Sequence, residues 1–440
     1  MTTAAENKIL TETGPGTPMG EFMRQYWIPA AKSSELTKDG DPVRLLLLSE
    51  QLIAFRDSNG KVGIMDHRCP HRCASLFFGR NEEGGLRCVY HGWKFDADGN
   101  CTDMANVPPH QDFKHKVHAK AYKTEERNGL VWVFMGDQSK IPPFPNLEAF
   151  LLPEDQLELK FIQRECNWLQ GAEGEMDTSH IGFLHFGSFD PSRFENVEHQ
   201  TFAVANRAPE YMSQETDYGF MYAAYRSGEP GHQYWRVGQF VFPFWCLPPI
   251  HPINVNYLAR AYVPMDDTHT MMVYLRYKHA RAKDTPEQTA ARAARVGTTA
   301  QERFLPNTTD WYGRFRLSDH KRNDYKIDRA VQRNGSYSGI DGIPLQDQCV
   351  TESMGEIVDR TFEHLAPSDV MITKTRRRLV KAATTFFEKR ELPQSYGRED
   401  AFDGVRGGNY QSPDGLDWLK GYRDQLDRSP LSTIFAKAAE

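Results

Sequence analysis

The sequence predicts an α+β chain in which a mostly-β N-terminal domain precedes a domain of strands followed by helices. Three features predict it: short strand runs joined by turn residues before position 140, a proline-bearing break at 140–145, and longer strand runs that give way to helical spacing. The expected divisions are an N-terminal segment, 1–41, packing on the first domain, then 42–145 and 146–440.

Taken in order, Thr17-Pro18 before Met19–Trp27 reads as a capped short helix, since Pro suits the first helical position. Strands are expected at 43–48, 52–55 and 62–65, with Asn59-Gly60 as a hairpin turn whose central residues need positive φ. Further short strands are expected at 86–89, 93–95 and 130–134. Beyond Lys140-Ile141-Pro142-Pro143-Phe144-Pro145 come a strand at 159–165, a helix from Trp168 to Phe186, and strands near 218–226, 234–244, 254–264 and 269–278. Residues 285–303 read as a helix by composition, 318–345 as a mobile polar surface segment, and 350–363 and 369–390 as helices.

The 440 residues carry a formal charge of −6, which argues against a general nucleic-acid binder. The seven cysteines show no disulfide-framework spacing, and no apolar run reaches membrane-spanning length, so a reducing cytoplasm is the expected location and no membrane partner is expected.

Cys69-Pro70-His71 is followed after sixteen residues by Cys88-Val89-Tyr90-His91. Each knuckle offers one thiolate and one imidazole, which suits a Rieske-type [2Fe–2S] cluster with two Cys on one iron and two His on the other. A zinc site is the competing metal reading, but zinc fingers usually place their two cysteines in one knuckle and their two histidines in the other. A structural reading, with inert buried thiols, is the third.

Asp177-Thr178-Ser179-His180 and His185 form a second constellation, and two imidazoles with a carboxylate suit mononuclear non-haem Fe(II). On a helix Asp177 and His180 share a face, and His185 joins them if the helix ends or bulges.

With both motifs and Asn167-Trp168 read together, the chain resembles the α subunit of Rieske non-haem iron aromatic-ring oxygenases. Tyr90-His91-Gly92-Trp93 and the run Leu345–Gly355 resemble the α-only phthalate dioxygenase branch. The resemblance implies a helix-grip catalytic domain, a third iron ligand at Asp347, with Asp341, Asp359 and Asp324 as alternatives, and an inter-subunit electron bridge at Asp177. It also implies a trimer or stacked-trimer hexamer, and cis-dihydroxylation of phthalate at ring positions 4 and 5, using O₂. O-demethylation or monooxygenation of another aromatic carboxylate, and a non-enzymatic electron carrier, are the alternatives. Tyr90 stands where electron-carrier Rieske proteins usually place a disulfide cysteine, which favours a lower-potential centre.

No nicotinamide or flavin fingerprint is present, since Gly14-Pro15-Gly16 lacks its third glycine, so the electrons are expected from a separate NADH-dependent flavin/iron–sulfur reductase. A dicarboxylate substrate needs cations, and the strands of the second domain offer Arg207, Arg226, Arg236 and Arg260. Arg207 and Arg236 are expected to bind it because both sit amid apolar residues, with Ser179 as a further donor.

Overall fold

The turn around Asn59-Gly60 does join two antiparallel strands, but it is wider than a two-residue hairpin. β3 (Glu50–Arg56) ends at Arg56 and β4 (Val62–Asp66) begins at Val62. Asp57 Oδ1 accepts the N–H groups of both Asn59 and Lys61, and of the two central residues only Gly60 takes a positive φ. The aspartate side chain thus replaces the tight-turn backbone geometry.

The computed structural model describes residues 2–187, 202–203, 205–278 and 303–432. The helix expected at 285–303 lies outside them, apart from its last residue. Before residue 135 there are two antiparallel sheets. One has the order β1-β10-β9-β4-β3-β2, with β1 at Ile28–Lys32, β2 at Val43–Leu47, β9 at Ala121–Arg127 and β10 at Leu130–Phe134. The other runs β5 (Arg80–Glu82), β6 (Gly85–Arg87), β7 (Trp93–Phe95) and β8 (Cys101–Met104). Ile53, Phe55, Met65, Leu76, Leu86 and Phe95 make a small core beneath the two Cys-His knuckles.

The N-terminal segment packs on both domains. Its strand β1 pairs with β10 and Arg24, at the end of α2, donates to Leu48 O and Glu50, while α1 (Ala4–Thr11) and α2 (Pro18–Met23) also pack on the second domain's long helix Val370–Lys389. After the short helix α3 (Glu148–Leu151), Trp168 Nε1 donates to Leu10 O at 3.0 Å, so α1 also closes over the start of α4 (Trp168–Met176).

The second domain is built on an eight-stranded antiparallel sheet ordered β11-β17-β16-β15-β14-β13-β12, with β18 added against β14. The strands are β11 (Leu157–Arg164), β12 (Glu210–Thr216), β13 (Gly219–Ser227), β14 (His232–Val241), β15 (Trp245–Leu247), β16 (Leu258–Pro264), β17 (Thr270–Tyr277) and β18 (Gly408–Pro413). α4 lies on this sheet so closely that a Cβ at Gly171 would come within 2.3 Å of the Tyr262 ring on β16. Among the described residues no helix is long and apolar enough to cross a membrane.

One buried ion network fixes α4. Glu173 accepts from Arg360 Nη2 at 2.9 Å and from Arg376 Nε at 2.6 Å and Nη2 at 3.0 Å. Burial alone would raise the Glu173 pKa, but the two guanidiniums outweigh it and hold the carboxyl below its usual range. A depressed carboxyl contributes stability above its unfolded pKa of about 4.3, and that contribution is lost as pH falls through the lower folded value. Glu173→Gln leaves two buried cations short of a counter-charge and should cost roughly 3–5 kcal/mol. Urea unfolding at neutral pH checks this, and the difference between wild type and variant should shrink in acid.

Candidate metal centres

The two cysteine-histidine knuckles have the same backbone wiring. Cys69 N–H donates to Ala74 O and Cys73 N–H to Cys69 O; Cys88 N–H donates to Trp93 O and Gly92 N–H to Cys88 O. Each loop turns through one left-handed residue, Cys73 (φ 59°) in the first and Gly92 (φ 77°) in the second. Both thiols are buried, and the imidazoles lie together at the tip, their ring centroids 4.4 Å apart, with His71 stacked on Trp93 at 4.3 Å. Burial first, and then the adjacent Cys88 thiol, push the Cys69 thiol up to about 12, a shift that an iron cation would reverse. Two buried sulfurs beneath two half-exposed imidazoles fit a [2Fe–2S] cluster ligated by Cys on one iron and His on the other. Cys73 is a free, exposed thiol, so no disulfide braces the loops.

The second centre is made by ending a helix early. α4 was expected to reach Phe186, but it stops at Met176. Asp177 turns extended (ψ 129°), and its Oδ1 accepts Ser179 N–H at 2.7 Å and the Ser179 hydroxyl at 3.1 Å. Asp, Thr and Ser side chains compete for backbone partners in this way, and three in succession break the helical ladder. A short 3₁₀ turn, His180–Gly182, then reverses the chain and brings His185 back to His180.

The third member comes from the helix Ile343–Ser353, which starts earlier than the helix expected at 350–363 because Pro344 occupies its first turn. Asp347 therefore lies in the second turn rather than at a helix start. The segment expected to be mobile, 318–345, carries 3₁₀ turns at Lys321–Lys326 and a helix at Arg329–Asn334, and its Tyr325 is buried with the hydroxyl donating to Glu352.

His180 Nε2 and His185 Nε2 are 3.1 Å apart, and Asp347 Oδ1 lies 3.1 Å from the latter and 3.6 Å from the former. Donors about 2.1 Å from one metal at mutual right angles would sit about 3 Å from each other, so this spacing fits three facial positions. The rings are oriented from behind. His180 Nδ1 donates to Asp177 Oδ2 at 3.2 Å, and His185 Nδ1 to Gln346 Oε1 at 2.7 Å. Gln346 cannot reverse its amide, because Nε2 donates to Ile340 O at 2.7 Å. Both imidazoles thus carry their proton on Nδ1 and turn the Nε2 lone pair inward. Burial opposes charge on Asp347, but the hydrogen bond and charge of His185 outweigh it and hold the carboxyl below its usual range. Of the alternative aspartates, none joins such a cluster among the described residues.

Gln346 is a residue the sequence reading missed, although it directly precedes Asp347. Gln346→Leu should weaken iron retention roughly 10–100-fold while leaving the cluster spectrum unchanged. Timed chelator challenge of the loaded protein measures it.

The three other expected residues fall differently. The Ser179 hydroxyl is engaged with Asp177. Arg236 is 2% exposed, and its Nε donates to Thr178 Oγ1 at 2.5 Å, one residue from Asp177. Arg207 is not on a strand or buried: it is exposed at a bend, its guanidinium 5.0 Å and 4.9 Å from the ring centroids of Phe183 and Phe186, because the preceding residues 202–203 and 205 turn helically instead of extending.

A domain that pairs Cys-His knuckles, joined to one that gathers two imidazoles and a carboxylate, defines a two-centre iron oxygenase component. Family models agree: residues 26–121 match the Rieske [2Fe-2S] domain and residues 133–401 the LigXa C-terminal domain like family. The chain is 47% identical to the 3-chlorobenzoate-3,4-dioxygenase oxygenase subunit of Comamonas testosteroni, covering 97% of this chain and 99% of that one. It is 36% identical to the phthalate 4,5-dioxygenase oxygenase subunit of Pseudomonas putida, over 88% and 87% of the two chains. In fold it is similar to dicamba monooxygenase bound to dicamba, at a TM-score of 0.57 and 17% identity over 83% of this chain and 98% of the other. The chain belongs to the Rieske non-haem iron aromatic oxygenases, and it carries a Rieske [2Fe–2S] cluster and a mononuclear iron.

Proposed function

We propose that the chain is the oxygenase component of a ring cis-dihydroxylase for an aromatic carboxylate of the chlorobenzoate class. The observation that carries this reading is the full-length 47% identity to the 3-chlorobenzoate enzyme, against 36% to the phthalate enzyme. Phthalate itself, hydroxylated at positions 4 and 5, is the second reading, favoured by Leu345–Gly355 and by two arginines within the buried sheet, Arg226 and Arg236.

In this reading Cys69, His71, Cys88 and His91 hold the cluster, and His180, His185 and Asp347 hold the mononuclear iron. The bound metals supply reductive activation of O₂ with electrons that a separate reductase delivers. The chain's own residues present the ligand atoms, keep the imidazole protons on Nδ1, and leave the centre partly buried, with His185 the most enclosed of its three ligands. Arg236 holds Thr178, next to Asp177, through its Nε, and Arg207 braces the turn that carries both histidines through Phe183 and Phe186.

Asp177 has a second task in this account. It relays electrons from a cluster histidine of a neighbouring copy in a head-to-tail trimer, a role that its hydrogen bond from His180 to Oδ2 supports. Turnover of 3-chlorobenzoate and phthalate with a flavin/iron–sulfur reductase, with product analysis by mass, tests the reading. The expected product from 3-chlorobenzoate is a dihydrodiol, or the catechol and chloride it yields by loss of HCl where the chlorine-bearing carbon is attacked, and substrate-independent reduction of O₂ with neither acid consumed would contradict the reading.

A further inference from the structure

The strand register gathers a set of polar side chains on one face of the sheet. Tyr211 stands opposite Ala224, Ala224 opposite Arg236, and Arg226 opposite Tyr234, while Tyr222 is two residues from Ala224 on the same strand. Side chains alternate along a strand, so Tyr211, Tyr222, Arg226, Tyr234 and Arg236 share a side. That side faces the segment leading into the histidine-carboxylate centre. Arg236 is bonded to Thr178, Tyr211 lies beside Ser179 within electrostatic reach of both Asp177 and Arg226, and Tyr222 lies within reach of Asp177 and Arg236.

Arg226 is 5% exposed, yet its Nε and Nη1 have no hydrogen-bond partner, and neither do the hydroxyls of Tyr211 and Tyr222. Most other deeply buried arginines are treated differently. Arg24, Arg314, Arg360, Arg376 and Arg406 each meet a carboxylate, and Arg164 and Arg236 have neutral oxygen acceptors in Pro344 O and Thr178 Oγ1, whereas Arg226 meets no carboxylate among the described residues. Burial, followed by the like charge of Arg236, pulls the Arg226 pKa down to about 10, so the guanidinium is cationic at neutral pH. A buried cation beside a second cation is costly unless an anion arrives. Three side chains with unused donors, next to the segment that carries Asp177 and Ser179, mark where that anion goes.

We propose that Arg226, with the hydroxyls of Tyr211 and Tyr222, anchors the carboxylate of the aromatic substrate. This rests on the aromatic-carboxylate reading above and assigns the anchoring role to a residue outside the Arg207 and Arg236 pair. In this arrangement Arg236 sets the position of Thr178, and Arg226 supplies the charge that selects an acid over its neutral analogue.

The test compares wild-type holoenzyme with Arg226→Met and Arg226→Gln, titrated anaerobically with 3-chlorobenzoate and with neutral 3-chlorobenzamide. Losing a charged hydrogen-bond donor should weaken 3-chlorobenzoate binding at least about tenfold in both variants, with the amide affinity unchanged within about threefold. The unliganded Arg226→Met protein should melt no lower than wild type, because an unpaired buried cation has been removed. Undiminished 3-chlorobenzoate binding in the variants overturns the assignment. So does equal loss of both probes with a lowered melting temperature, which would make Arg226 a structural residue. Should Arg226→Met not fold, Arg226→Gln decides on the same criteria. If wild type binds the amide but neither 3-chlorobenzoate nor phthalate, the aromatic-carboxylate reading fails, and the anchor fails with it.

Discussion

Asp347→Ala is expected to reduce iron from about three to about two per chain, leave the [2Fe–2S] spectrum intact, and remove detectable product formation. The expectation follows from the spacing of the three inward atoms. Without Asp347 Oδ1, which lies 3.1 Å from His185 Nε2, the centre offers two neutral nitrogens and no anionic ligand. The lost carboxylate is also the group that balances part of the cation's charge in a buried site, so the remaining pair should hold Fe(II) poorly. The stability of the fold should change little, since Asp347 is in the second turn of a helix whose own buried side chains, Leu345, Gln346, Gln348, Thr351 and Glu352, are untouched. Iron analysis after gel filtration, beside the visible spectrum of the cluster, reads the result. Retention of about three irons would remove Asp347 from the centre.

Asp177→Asn is the second large effect. The aspartate accepts from His180 Nδ1 through one oxygen and from Ser179 through the other. An asparagine keeps one acceptor and the shape but loses the negative charge, which also holds the His180 pKa above its ordinary value against the opposing effect of burial. If Asp177 also couples the mononuclear centre to the cluster of a neighbouring copy, the variant should keep all its iron and a reducible cluster. Its product yield in a single turnover should nevertheless fall by about two orders of magnitude, the upper end for residues that act through a ligand. A fall of less than about tenfold would leave Asp177 as a histidine-orienting and helix-ending residue alone.

Most of the first domain was legible in the sequence because its strands are short, β-branched and leucine-rich runs between turn residues, a local signal. The cluster knuckles were legible for the same reason: Cys-x-His and Cys-x2-His each close within six residues. The helix after Trp168 was read too long because periodicity continues through Ile181, Leu184 and His185, while the three competing side chains Asp177, Thr178 and Ser179 end it. Contacts far apart in sequence could not be read at all. The Gln346–His185 bond joins positions 161 residues apart, and the strand β18 gains its place by pairing with β14 and bonding the backbone of His251 and Ile253, all far away in sequence. Arg207 and Arg226 show the same limit from the other side. Both are arginines near apolar residues in sequence, yet one stacks on exposed rings while the other is buried without a carboxylate, a difference set by strand register and burial.

The most direct test of the central account is a single turnover. Protein reconstituted anaerobically with Fe(II) is counted for iron, its cluster reduced, and the sample mixed with 3-chlorobenzoate and O₂, the product being read by mass. On this account about three irons per chain are expected, with a product carrying both oxygens of O₂: the dihydrodiol, heavier than the acid by two oxygens and two hydrogens, or, where the chlorine-bearing carbon is attacked, the catechol left when that diol loses HCl. About two irons per chain, with a reducible cluster and no oxygenated product, would contradict it and leave an electron carrier.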